Sequence, residues 1–183
     1  SRHHKKQIQK REGYLIVTLG WLLISLTGML PYLLTGSIQE ISSAFFETMS
    51  GYTTTGSSIL TDIESIPAGV LFWRSMTHWI GGMGIIVLAI AILPLLGIGG
   101  MQLFTAEAPG PSSDKLHPRI TDTAKRLWLI YVSFTLAETV LLFFAGMSLF
   151  DALNHAMSTL STGGFSTKNN SLAHWNHLPW IQY

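Results

Sequence analysis

Apolar residues run through this chain in three long blocks, separated by two short segments of mixed character. The first block is Tyr14–Leu34, 21 residues without a charge. The second lies within Ala68–Met101 and has an uncharged core at Ile80–Leu96. The third runs from about Leu127 to Leu149, interrupted only by Glu138. A bilayer's hydrocarbon core takes about 20 apolar residues of helix. Backbone polar groups in that core have no water to bond, so each block is expected to be a helix. A bend is expected near Pro94, whose nitrogen cannot donate.

The two short segments follow different rules. Ser37–Ser50 spaces Ile38, Ile41, Ala44, Phe45, Phe46 and Met49 in a helical manner but is too short and polar to span. Leu149–Leu160 does the same with Phe150, Leu153, Ala156, Met157 and Leu160. Each short helix follows a span and runs into a Thr/Ser/Gly tract, TTTGSS or STGGFS. That order outlines a re-entrant loop, because irregular backbone at membrane depth survives only where it is buried or lines a water-filled path.

Composition agrees with a lipid-embedded chain. Charged residues make up 11% of the 183, against about 25% in an ordinary soluble domain. The N-terminal basic stretch and apolar run superficially resemble a secretory leader. The run is too long for a leader's apolar region of about 7–15 residues, and no cleavage pattern follows it. Cysteine is absent, which excludes disulfides and thiolate chemistry.

Charge placement orients the spans. Of eleven basic residues, nine lie before the first block (Arg2, Lys5, Lys6, Lys10, Arg11) or between the second and third (Lys115, Arg119, Lys125, Arg126). Basic loops stay in the cytoplasm. The N-terminus is therefore expected inside, with both short helices entering from outside. Arg74, near the outer end of the second block, reads as an interface residue with its head in the headgroups. Trp73, Trp79, Trp128, Trp175 and Trp180 read as interfacial belt residues.

The chain also repeats itself. Shifted by 108 residues, Ala44, Met49, Ser50, Thr54, Gly56 and Ser58 fall on Ala152, Met157, Ser158, Thr162, Gly164 and Ser166. That is six identities in fifteen positions, at equivalent places in two span–helix–loop units. Duplicated membrane units commonly form a binding site where they meet.

The two tracts have the chemistry of a cation filter. A dehydrated alkali ion needs oxygens in place of its water, and backbone carbonyls supply them. Glycine permits the backbone turns that aim them, and a short helix directs its partly negative C-terminal end at the ion. Neither tract holds a carboxylate, which disfavours a divalent site. Ordinary polar turns outside the membrane are the bland alternative.

Three stretches carry a resemblance: FFETMSGYTTTGSS, WIGGMGIIVLAIAILPLLGIGGMQLFTAEAPGP and STGGFST. They resemble the Trk/Ktr/HKT superfamily of potassium transporters, and within it the TrkH-type membrane subunits. The resemblance implies an all-α polytopic membrane protein of tandem membrane helix–pore helix–filter loop–membrane helix repeats, as in potassium channels. Four such repeats surround one pore, each with one key filter glycine. By position these are Gly56 and Gly164, with K⁺ ligands from the carbonyls of Thr54 and Thr55 and of Thr162 and Gly163. It implies potassium uptake at the cell (inner) membrane, a homodimer when complete, and a cytosolic nucleotide-binding regulatory subunit.

The expected layout is a cytosolic basic segment over residues 1–13, a first repeat over 14–101, a cytosolic loop over 102–124 and a second repeat over 125–183 lacking its final helix. The first residue is Ser1 rather than Met, and the chain is expected to be a fragment whose missing repeats would complete the pore. A less selective Na⁺/K⁺ pathway, or a membrane scaffold without transport, remains as an alternative. No nucleophile–base pairing argues for an enzyme, and nothing points to nucleic acid. Glu138 is open between a functional intramembrane charge and a hydrogen-bonded packing residue. His155, His174 and His177 match no zinc spacing.

Overall fold

The computed structural model describes residues 10–96 and 116–178. Helix α1 spans Lys10–Gly28, and α2, Leu30–Leu34, continues it after a break at Met29. Pro31 sits in the first turn of α2, where its missing N–H costs nothing. Together Arg11–Leu34 form a 24-residue stretch long and apolar enough to cross a membrane. Helix α3 is Ile41–Tyr52, α4 is Ala68–Leu96, α5 is Leu116–Phe144 and α6 is Leu149–Leu160. Ser171–Trp175 forms a short 3-10 turn. Among the described residues there is no strand.

Both expected short helices are present, and α6 has the expected bounds. Ser148 caps it by accepting the Asp151 N–H at 3.1 Å, while its hydroxyl donates to the Asp151 carboxylate at 2.7 Å. Helix α3 starts at Ile41, four residues later than Ser37, because Gly36 takes a left-handed turn (φ 69°) and Glu40 is extended. Helix α4 runs 29 residues, about 43 Å at 1.5 Å per residue, and passes through Pro94. Helix α5 begins at Leu116, within the stretch expected as loop. It closes at Gly146 (φ 111°), where Met147 N–H reaches back to the Leu142 carbonyl at 3.1 Å.

Packing is organised around α4, which touches both short helices; α3 also rests on α1, and α6 on α5. The buried side of α3 is not its most apolar side. Ala44, Glu47, Thr48, Gly51 and Tyr52 are buried, whereas Ile41 and Phe46 are exposed. The long helices likewise turn Leu15, Ile16, Leu19 and Leu23, and Ile130, Phe134, Leu141 and Phe144, outward. Lipid is as apolar as leucine, so hydrophobicity does not drive such side chains inward; small and polar residues make the contacts instead. Gly81 and Gly82 show this on α4. A Cβ on Gly81 would strike the Tyr52 carbonyl, and one on Gly82 would strike Ser161 and the Tyr131 hydroxyl.

Several side chains differ from expectation. Arg74 is 2% exposed and ion-paired rather than reaching an interface. Trp175 is buried against Met147 and Ala152. The indole N–H of Trp73 donates to the Gly28 carbonyl at 2.9 Å, and that of Trp79 to the Thr135 hydroxyl at 3.0 Å. These three bind elements together instead of forming a belt. Trp128 is exposed as a belt residue should be, and Trp180 lies outside the described residues.

Candidate functional site: two matched loops

Both short helices end in the same way. In the first, Thr54 N–H bonds the Gly51 carbonyl at 3.0 Å and Thr55 N–H bonds that of Ser50 at 2.9 Å. In the second, Thr162 bonds Thr159 at 2.8 Å and Gly163 bonds Ser158 at 2.9 Å. This is the Schellman arrangement, in which a left-handed residue reverses the chain and satisfies the last carbonyls. Glycine usually takes that place. Here threonines take it, Thr54 at φ 54° and Thr162 at φ 57°. A β-branched residue with positive φ is an outlier and marks a place where the surrounding fold enforces strain.

Two residues later the backbone turns left-handed again, at Gly56 (φ 76°) and Gly164 (φ 90°). Thr55 and Gly163, between them, do not have positive φ. Both loops therefore alternate in hand over the same three positions. Left-handed residues break the side-to-side alternation of carbonyls that extended backbone shows, the change a loop needs to aim successive oxygens at one axis. The conformation pairs Gly56 with Gly164, as the 108-residue offset expects.

Gly163 has a different reason to be glycine. A Cβ there would run into the His78 ring. Position 55, its counterpart, is exposed and carries threonine. The loops also touch: a Cβ on Gly56 would collide with the Gly163 carbonyl oxygen. Thus Gly56, Gly163 and Gly164 are brought together across the repeat boundary. Thr55 lies exposed beside Thr53, their hydroxyls 2.8 Å apart.

Behind the loops is a polar scaffold that the sequence pattern does not bring together. The Glu47 carboxylate, fully buried, accepts from Arg74 Nε at 2.7 Å, from Ser58 Oγ at 2.9 Å and from Ile59 N–H at 3.0 Å. Arg74 Nη1 donates to the Ser166 carbonyl at 3.0 Å, and its guanidinium lies 3.5 Å above the Phe165 ring. His78 also stacks on Phe165, with ring centroids 3.8 Å apart, and its Nδ1 is 3.3 Å from Ser158 Oγ. Ser50 Oγ donates to the Ser57 carbonyl at 2.6 Å. Arg74, Thr77, His78, Gly81 and Gly82 form one i, i+3, i+4, i+7, i+8 stripe on α4. That stripe of polar and small residues on an apolar helix is the signal that could have located them.

Outside the helices, Asn169 joins the two connecting segments. Its carbonyl accepts Ile63 N–H at 2.7 Å and its amide donates to Asp62 at 3.0 Å. That amide is the main cause holding the Asp62 carboxyl below the ordinary range. Lys168 and Glu64 add a looser pair at 3.7 Å. Glu138 of α5 lies beside Thr159 of α6. No group of three or more His, Cys, Asp or Glu suited to hold a metal occurs among the described residues.

The fold is that of an all-α polytopic membrane protein carrying two matched helix–loop units. Comparison then gives the family. The profile of TrkH, described as "Cation transport protein", matches residues 1–183, and the chain belongs to this family. It is 51% identical over 178 residues to the Trk system potassium uptake protein TrkH of Salmonella typhimurium (strain LT2), covering 96% of this chain and 37% of that protein. It is 42% identical over 166 residues to the Trk system potassium uptake protein TrkI of Halomonas elongata, covering 91% and 34%. Its structure resembles the crystal structure of the potassium transporter TrkH from Vibrio parahaemolyticus, with a TM-score of 0.79 at 43% identity, covering 96% of this chain and 35% of the other. The chain thus spans little more than a third of the length of these curated relatives.

Proposed function

We propose that this chain forms two adjacent sides of a K⁺-selective uptake pathway. The carbonyls of Thr54 and Thr55, and of Thr162 and Gly163, are the ion ligands, with Gly56 and Gly164 setting the turns that aim them. The observation that carries this reading is the matched alternation of backbone hand in two loops whose glycines meet. Thr54/Thr162 and Gly56/Gly164 are left-handed in both, and Gly163 abuts Gly56. Such loops present oxygens without carboxylates, which suits a monovalent ion shedding its water. The relatives named as potassium uptake proteins support K⁺ as the cargo.

Two loops form two sides of a cage. Further repeats of the same polypeptide are the proposed source of the remaining sides, so residues 1–183 alone do not conduct. The basic residues support a cytoplasmic N-terminus and a cytoplasmic segment 102–124, in a protein of the inner membrane whose filter loops face outside. The family resemblance supports a homodimer and a cytosolic nucleotide-binding regulatory subunit, for which segment 102–124 is the contact we propose. Transport proceeds without covalent chemistry.

The test is Rb⁺ uptake by the full-length protein, with Gly56 and Gly164 changed singly. Altered Rb⁺ over Na⁺ preference in either variant is expected. Unchanged selectivity in both would remove these loops as the filter.

A further inference from the structure

The Arg74–Glu47 pair is an unusual way to hold a fold together. Removing two charges from water costs several kcal/mol per ion, and replacing a buried pair by apolar groups is often neutral or stabilising. Stability alone therefore does not explain two buried charges between α3 and α4. Their contacts suggest another role. Glu47 binds Ser58 Oγ and Ile59 N–H of the first loop. Arg74 binds the Ser166 carbonyl and covers Phe165 in the second. Ser58 and Ser166 are the same position of the two repeats, 108 residues apart. One ion pair thus grips equivalent points on both loops.

We propose that the Arg74–Glu47 pair is a positioning clamp that sets the spacing of the two loops and, through it, the discrimination between K⁺ and Na⁺. The inference rests on the filter reading above. Arginine is needed rather than any cation. Nε engages Glu47 while Nη1 engages Ser166, a fork that a lysine ammonium on a flexible stem does not reproduce. Neither residue meets the ion. Selectivity depends on the placement of carbonyl oxygens around the site, and Arg74 holds one such strand from behind.

The experiment uses the full-length protein in proteoliposomes, with Rb⁺ uptake measured alone and against Na⁺ competition. The variants are R74K, which keeps the charge, and the double variant E47Q/R74Q, which removes both charges and leaves no orphaned ion. Both are expected to fold and to take up Rb⁺ with Rb⁺/Na⁺ preference lowered on the order of ten-fold, the worth of about one charged hydrogen bond. A merely neutralising role for Arg74 would instead let R74K restore the wild-type ratio. Wild-type preference in folded R74K overturns the proposal, and so does wild-type preference in the double variant. Absence of Rb⁺ uptake by the unmodified protein would overturn the filter reading itself and this inference with it, an outcome distinct from selective wild type beside unchanged variants.

Discussion

Glu47 and His155 occupy the same place in the two repeats and bind the same partner. Each lies on the buried face of a short helix, and each meets the serine eleven residues on, Ser58 at 2.9 Å and Ser166 at 3.0 Å. The groups differ in charge. His155 Nδ1 is 2.8 Å from the Asp151 carbonyl, which can only accept, so Nδ1 carries the hydrogen. In the neutral ring Nε2 then accepts from Ser166 Oγ, and Ser166 Oγ in turn accepts Lys168 N–H at 3.0 Å. Only Glu47 has a charged partner, Arg74. The duplicated device has been kept in geometry and divided in chemistry.

The chain His155–Ser166–Lys168 should behave as a unit. H155L and S166A each leave a buried polar group without its partner and should each cost about 1–3 kcal/mol. The double variant should cost less than the sum, with a coupling of roughly 0.5–3 kcal/mol. Thermal unfolding of the four proteins in detergent measures this. Additive losses would show that the 3.0 Å contact does not couple the helix to the loop.

The two proposed filter glycines should not tolerate alanine equally. Both are left-handed, so either substitution costs about 1–2 kcal/mol in backbone strain. Gly164 faces open space, whereas a Cβ on Gly56 meets the Gly163 carbonyl. G164A should therefore fold with a modest loss of thermal stability. G56A should lose clearly more and should disturb both loops. Equal thermal midpoints for the two would contradict the close approach of the loops.

Much of this was legible in the chain before any coordinates. The existence of the three long helices, both short helices and the pairing of Gly56 with Gly164 follow from apolar runs and the 108-residue offset, whereas the third long helix starts and ends earlier than its apolar block, at Leu116 and Phe144. The burial of Arg74 was not legible. Its place near a span end fits an interface residue equally well, and only the meeting of α3, α4 and the second loop shows its partners. Helix α3 was misleading in a second way. Its apolar spacing indicates a helix, yet Ile41 and Phe46 face outward while Glu47 and Thr48 are buried. In lipid the apolar stripe does not name the packed face. His78 escaped notice for the same reason: it lies on α4 among residues that read only as span.

Gly163 and His78 should be interchangeable in size. G163A forces a methyl into the His78 ring, an overpacking that typically costs 1–3 kcal/mol. Adding H78S should recover most of the loss by vacating that space, although H78S alone removes the stacking on Phe165. Thermal midpoints below wild type for G163A and partly restored for the pair are expected. If H78S adds its own loss without any recovery, the ring is not what confines position 163.

Asp62 and Asn169 should give the outer segments a dependence on acid. Hydrogen bonding, chiefly from Asn169, lowers the folded carboxyl below its free value, and free aspartate titrates at about 3.9. A lowered folded pKa means the contact contributes fully above about pH 4 and is lost as pH falls through the folded value. N169A should abolish that difference. Accessibility of a cysteine placed at Ile63 should then rise with acid in the parent protein and be pH-independent, and higher, with N169A. A parent closed to labelling no more tightly than N169A at neutral pH would refute the link.

Thr54 and Thr162 offer the sharpest separation of stability from function. Each holds positive φ at the end of its short helix, where glycine is the ordinary residue and a β-branched side chain costs about 1–2 kcal/mol. T54G and T162G relieve that strain and give back part of the gain through the added freedom of the unfolded chain. Thermal stability should therefore hold or rise by a fraction of a kcal/mol. The loop, no longer stiffened by a branched side chain beside the proposed ligands, should discriminate less well between Rb⁺ and Na⁺. Strain retained at equivalent positions of two repeats is what a fold keeps when the conformation matters more than its cost. A variant that loses stability and retains selectivity would reverse that account and make the threonines structural.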